Sequence, residues 1–97
     1  MATFILLVSF TDQGIRAAQD SPKRADTFKA LAKKAGVNVK DLYWTLGQYD
    51  AVAIIEASDN ATATAVSLSL SKLGNVRTET LPAFSATEMQ TIIGKMA

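Results

Sequence analysis

The stretch Thr3–Phe10, TFILLVSF, constrains the fold of this chain more than any other feature. Phe4, Leu6, Val8 and Phe10 alternate with Ile5 and Leu7, so a strand built from it is apolar on both faces. Such a strand belongs inside a sheet and needs cover on both sides. Only 97 residues are available to supply that cover. This length, with no linker, low-complexity stretch or strong internal repeat, predicts a single domain over residues 1–97.

The remaining elements follow from spacing and punctuation. Thr11 or Asp12 caps a helical turn within Asp12–Asp20, weakened by Gly14. Ser21-Pro22 opens a helix carrying Ala25, Phe28, Leu31, Ala32 and Ala35 at helical spacing, closed by Gly36. Val37–Leu46 and Tyr49–Ala57 read as strands joined at Gly47-Gln48, a pair suited to a type II′ turn. Asp59 or Ser58 caps a second helix striped by Ala63, Val66, Leu70 and Leu73 and ended by Gly74. Val76–Leu81 is a fourth strand stopped by Pro82. Ser85 and Glu88 have capping-box spacing and start a last helix with Met89, Ile92, Ile93 and Met96 on one side. The order predicts an α+β fold: ferredoxin-like βαββαβ, two helices on one face of an antiparallel sheet, with an extra C-terminal helix.

That architecture leaves the second face of the sheet bare. Strand one is apolar there too, so a second copy packed sheet against sheet is the simplest cover. A domain of this size buries only about two-thirds of its unfolded surface, which also favours association. A homodimer or higher oligomer is therefore expected, with Leu68 and the apolar side of the last helix as further contacts.

Composition removes most chemistries. The chain contains no Cys and no His, which excludes disulfides, zinc fingers, thiol catalysis and histidine-based triads. No metal site and no cofactor is expected. Ten Lys+Arg against nine Asp+Glu give a net charge of +1, unlike the basic excess of a nucleic-acid binder. The Lys23, Arg24, Lys29, Lys33 and Lys34 cluster is interleaved with Asp20 and Asp26 and reads as a solvated helix face. Phe4–Val8 is far short of a membrane span, and no signal-peptide pattern surrounds it. Cytoplasmic location follows as the expectation.

A two-residue turn at Gly47-Gln48 sets the hairpin register: Leu46 faces Tyr49, Thr45 faces Asp50, Trp44 faces Ala51 and Tyr43 faces Val52. One face then holds Leu42, Trp44, Leu46, Tyr49, Ala51, Ala53 and Ile55. The other holds Asp41, Tyr43, Thr45, Asp50, Val52, Ile54 and Glu56. Tyr43, Thr45, Asp50 and Glu56 on that mixed face are candidate ligand-binding residues, as is Arg77 at the entry to strand four. Asp50 has two readings: a carboxylate that bonds the hairpin backbone or Thr45, or a general base raised in pKa by partial burial. Arg77 either pairs with an acid such as Glu79 or anchors an anionic ligand. Gly47 and Tyr49 read as structural, the glycine for its positive φ and the tyrosine for packing beside Leu46. Trp44 reads as core.

The run Leu42–Asp50, LYWTLGQYD, resembles the GYD domain family, whose name comes from a Gly-x-Tyr-Asp hairpin like Gly47–Asp50. Phe10-Thr11-Asp12-Gln13-Gly14 and Gly74-Asn75-Val76-Arg77-Thr78 extend the resemblance across nearly the whole chain. It implies a dimeric α+β barrel and no particular biochemical activity. Relatives in that wider superfamily include cofactor-independent monooxygenases and haem-degrading enzymes. The missing histidine removes His-ligated haem, leaving Tyr43 or Tyr49 as conceivable ligands.

Three functions remain open at this point. The first is an oligomeric barrel binding a small apolar or aromatic molecule. A cofactor-independent, monooxygenase-like enzyme with Asp50 as base is the second. The third is a structural assembly module working through its hairpin and last helix.

Overall fold

A computed structural model describes the chain from Met1 to Ala97. Its elements are β1 (Ala2–Phe10), α1 (Asp12–Arg16), α2 (Ser21–Lys34), β2 (Asn38–Trp44), β3 (Ala51–Ala57), α3 (Asn60–Ser71), β4 (Val76–Ala83) and α4 (Ala86–Ile93). The four strands form one antiparallel sheet in the order β2-β3-β1-β4. The doubly apolar β1 thus lies in the interior of the sheet, between β3 and β4. This is the ferredoxin-like βαββαβ arrangement, with α4 as the additional C-terminal helix.

Local chemistry explains where the elements begin. The Thr11 hydroxyl accepts from the Gly14 amide at the start of α1, and Asp59 accepts from the Thr62 amide at 2.8 Å at the start of α3. Each satisfies an amide that the helix itself leaves unpaired. That amide also holds the Asp59 carboxyl below its ordinary value. At α2 the sequence expectation shifts by one residue. Asp20 occupies the N-cap position without a side-chain bond, and Ser21 instead accepts from the Trp44 indole at 3.1 Å.

Alternation decides the core. Along β3, Ala51, Ala53, Ile55 and Ala57 are buried while Val52, Ile54 and Glu56 are half-exposed. Phe4, Leu6 and Val8 of β1 join them beneath Phe28 and Ala32 of α2 and Ala63 and Val66 of α3. Burying each of the larger side chains contributes about 1.5–3 kcal/mol. Ser67 is the one buried polar side chain, and its hydroxyl bonds the Ala63 carbonyl and Thr80.

The opposite face is bare. Ile5, Leu7, Val52 and Ile54 are half-exposed there, and Leu81, opposite Ile5, is exposed. β4 runs through Pro82 to Ala83 rather than stopping before the proline. An edge strand tolerates this, since the missing N–H is needed only on its paired side.

Candidate functional site

The hairpin pairs as its sequence predicts as far as Tyr43 with Val52 and Trp44 with Ala51, and the Thr45 amide donates to the Asp50 carbonyl at 2.9 Å. Beyond that pair the strands part. Leu46–Tyr49 form a four-residue loop in place of a two-residue turn. It is closed by the Thr45 hydroxyl, which donates to the Tyr49 carbonyl at 2.6 Å. Gly47 has φ 121°, a conformation that an L side chain rarely adopts. The wider loop leaves Leu46 fully exposed instead of in the core. It also moves Tyr49 to the bare face, where its hydroxyl donates to Glu79 at 3.1 Å; Glu79 shares that face with Leu7, its partner on β1. The carboxylate acceptor stabilises the protonated phenol and raises the Tyr49 pKa above 10.0.

Asp50 joins three strands. Its carbonyl accepts from Thr45, its amide donates to the Val8 carbonyl at 2.8 Å, and its carboxylate accepts from the Phe10 amide at 2.7 Å. The side chain thereby extends the β1–β3 ladder beyond Ala51 with a charge-assisted bond. Its partner is β1, not the hairpin backbone or the Thr45 side chain.

The residues that follow β1 are also tied down. The Thr11 amide donates to the Asn75 carbonyl at 3.1 Å, and its hydroxyl donates to the Gly74 carbonyl at 2.6 Å. Gln13 donates to the Leu73 carbonyl and to the Asn75 side chain. A Cβ on Gly14 would collide with the Asn75 carbonyl, so only glycine lets the backbones approach this closely. Arg24 donates to the Gly14 and Ala17 carbonyls and lies 5.7 Å from the Phe10 ring. Three segments far apart in sequence, around Phe10, Asp50 and Gly74, therefore meet at one end of the sheet.

The sequence-derived candidates do not form one cluster. Glu56 lies at the far end of β3 from Asp50, about 20 Å away at the ordinary rise per residue. It accepts from Asn38 at 3.0 Å and lies 4.0 Å from the Lys40 ammonium. Tyr43 is exposed, its hydroxyl 3.5 Å from Asp41. Thr45 is spent on closing the loop. Arg77, opposite Ser9 on the bare face of β4, makes no ion pair. None of these five side chains hydrogen-bonds or ion-pairs with another of the five.

On the helix-covered face lies a cavity of about 60 Å³, lined by Leu6, Phe28, Leu42 and Leu70 and bordered by Trp44 and Arg24. Trp44 lies on the helix-covered face, opposite Ala51, but at 47% exposure it edges the cavity and is not part of the core that its sequence position suggested. Neither the cavity nor the Tyr49–Glu79 contact had a local signal in the sequence. Each depends on packing between segments that are distant along the chain.

Comparison with known proteins agrees with this architecture. The sequence profile of the GYD domain matches residues 4–93. A Thermus thermophilus protein named "Glutamine synthetase and cystathionine beta-lyase binding protein" is 37% identical over 90 residues, spanning 92% of this chain and 95% of that protein. A crystal structure of a protein from Thermus thermophilus superposes with a TM-score of 0.58 at 26% identity, covering 89% of this chain and 96% of the other.

Proposed function

The chain belongs to the GYD domain family, and from that premise we propose that it is a non-catalytic, self-associating module that docks onto other proteins. The observation that carries self-association is the bare sheet face, with Ile5, Leu7, Val52 and Ile54 half-exposed and Leu81 exposed. A contiguous apolar surface of this kind marks a protein contact. Docking is assigned to the fully exposed hairpin tip at Leu46. The engagement of Asp50 by the Phe10 amide favours a structural role for that carboxylate over one as a base. The name of the Thermus relative adds the class of partner, a metabolic enzyme.

Docking is tested with purified glutamine synthetase and cystathionine β-lyase from the source organism, each immobilised and titrated with this protein. At least one is expected to bind. Leu46→Asp, at the fully exposed hairpin tip, should weaken that binding about tenfold, equivalent to about 1.4 kcal/mol. Binding of neither enzyme would remove the docking assignment.

A second function is favoured by the cavity beneath Trp44: binding of a small apolar or aromatic molecule. This places the ligand on the helix-covered face rather than beside Tyr43 and Asp50. Trp44 is the chain's single tryptophan, so its fluorescence reports occupancy directly. Saturable quenching or enhancement by small aromatic compounds is expected, and Leu42→Phe, which fills the space without adding a second tryptophan, should abolish it. A response unchanged by Leu42→Phe would count against the cavity.

A further inference from the structure

The helix α4 makes no extensive contact with any other element of its own chain, and all of its residues except the partly buried Ile92 are exposed. Yet its start is fully specified. Ser85 accepts from the Glu88 amide at 3.1 Å, and Glu88 accepts from the Ser85 amide at 2.9 Å. Isolated helices shorter than about 12–15 residues are marginal in water even with good caps. A capped helix as short as Ala86–Ile93 therefore needs a surface to lie on.

Its side chains describe that surface. Met89, Ile92, Ile93 and Met96 recur at the spacing of one helix face, and the exposed Phe84 precedes them. Thr87, Glu88, Gln90, Thr91 and Lys95 are among the remaining positions. The stripe is apolar, and its Met89, Ile93 and Met96 are exposed.

Area and shape say how much is missing. The chain exposes 6411 Å², whereas a compact monomer of 10.3 kDa exposes about 5,350 Å². The excess of about 1,050 Å² compares with the roughly 800 Å² per partner that a standard stable interface removes. The radius of gyration is 14.5 Å, against about 12.5 Å for a compact domain of this length. The molecule measures 49 × 30 × 19 Å. It has the surface and elongation of a subunit separated from its partner.

We infer that α4 is an exchanged arm, which packs its Met89–Ile93 stripe on a second copy of this chain while that copy's α4 packs back reciprocally. The inference rests on self-association through the bare sheet face and names the element that completes the contact. A two-fold arrangement is self-complementary, so one apolar arm and one apolar face per chain satisfy both copies. It also suits the charges on β4. Arg77, with no ion pair of its own, and Glu79 lie on the same face two positions apart, and a two-fold axis can set each against its opposite.

Hydrogen exchange read by mass spectrometry, together with sedimentation, tests the arm. The wild-type protein should sediment as a dimer or larger, with α4 amides exchanging at least tenfold more slowly than an unstructured chain. Leu7→Glu, on the sheet face, should give a monomer in which β1 and β3 stay protected and α4 exchanges freely. Should that variant fail to fold, diluting the wild-type protein until it dissociates makes the same comparison. The double variant Met89→Glu/Ile93→Glu should leave the sheet protected and raise the dimer dissociation constant at least tenfold. Protection of α4 in a folded monomer would overturn the inference, as would a dimer whose α4 is unprotected or whose affinity ignores the double variant. Protection of α4 appearing only with a partner enzyme would overturn it too, assigning the helix to that enzyme. A wild-type protein that is monomeric at all concentrations would remove the self-association itself, an outcome distinct from the loss of the arm alone.

Discussion

The two faces of the sheet are built from the same strands and nearly the same side chains, yet their fates differ. Phe4, Leu6 and Ile55 are at most 1% exposed beneath α2 and α3, while Ile5, Leu7 and Ile54, their immediate neighbours, remain half-exposed. Alternation sends successive residues to opposite faces, but it does not supply cover. The chain has helices enough for one face only. The second face differs in chemistry too, since Tyr49, Glu79 and Arg77 border its aliphatics, whereas the covered face buries a single polar side chain, Ser67. A core tolerates few polar groups, while an interface accommodates them at its rim.

The sharpest way to break this comparison is to truncate neighbouring leucines. Leu6→Ala should cost about 2–5 kcal/mol in urea unfolding, because it empties a fully buried site. Leu7→Ala should cost under about 1 kcal/mol when the protein is dilute enough to be monomeric, and more at concentrations where it associates. Equal costs in the dilute protein would show that the two faces are not distinct.

A smaller effect is expected at the end of the sheet where the strands are tied together. Asp50→Ala removes the charge-assisted acceptor of the Phe10 amide and should cost about 1–2 kcal/mol, less than a fully buried charged bond because the site is half-buried. Hydrogen exchange of the Phe10 amide should rise in that variant, and Asp50→Asn should restore part of the protection by keeping an acceptor oxygen. An unchanged Phe10 amide would mean that the carboxylate is free for another role.

The smallest effects are pH dependences, one from the bare face and one from α4. Glu79 raises the Tyr49 pKa, so this contribution is fully present below 10.0 and fades as pH rises through the higher folded value. Ultraviolet titration should show one of the two tyrosines ionising late, and Glu79→Gln should bring it back towards the other. The Ser85 amide lowers the Glu88 pKa, so the capping contribution is present above 4.5 and fades as pH falls through the lower folded value. The protection factors of the first α4 amides, corrected for the intrinsic pH dependence of exchange, should fall over that acidic range and stay level above it. Acid insensitivity of those amides would show that the capping box does not hold the helix.

Much of the fold was legible because its signals are local. Gly36 and Gly74 have the positive φ expected where α2 and α3 end, and Asp59 and the Ser85–Glu88 pair cap as their spacing predicts. The register at Trp44–Ala51 followed from the hairpin residues, but the turn did not. Leu46 and Tyr49 look alike to a periodicity argument whether a two-residue or a four-residue loop joins the strands. The loop was decided by the Thr45 hydroxyl reaching the Tyr49 carbonyl and by Tyr49 reaching Glu79 on a distant strand. The candidate residues were legible as one face and not as one place. Sharing a face says nothing of distance along the strand, and Asp50 and Glu56 lie at its two ends.

By itself, the sequence determined a doubly apolar central strand, the helices with their caps, and the absence of any cysteine or histidine chemistry. These are properties of composition and of neighbours within a few residues. Only the tertiary structure decided that Asp50 binds the backbone of β1, that Tyr49 turns to the bare face, and that α4 makes no extensive contact with the rest of its chain. Each of those depends on pairs separated by tens of residues, or on a surface that no element reaches, and a one-dimensional pattern carries neither. The physical divide is between short-range conformational preference and long-range contact.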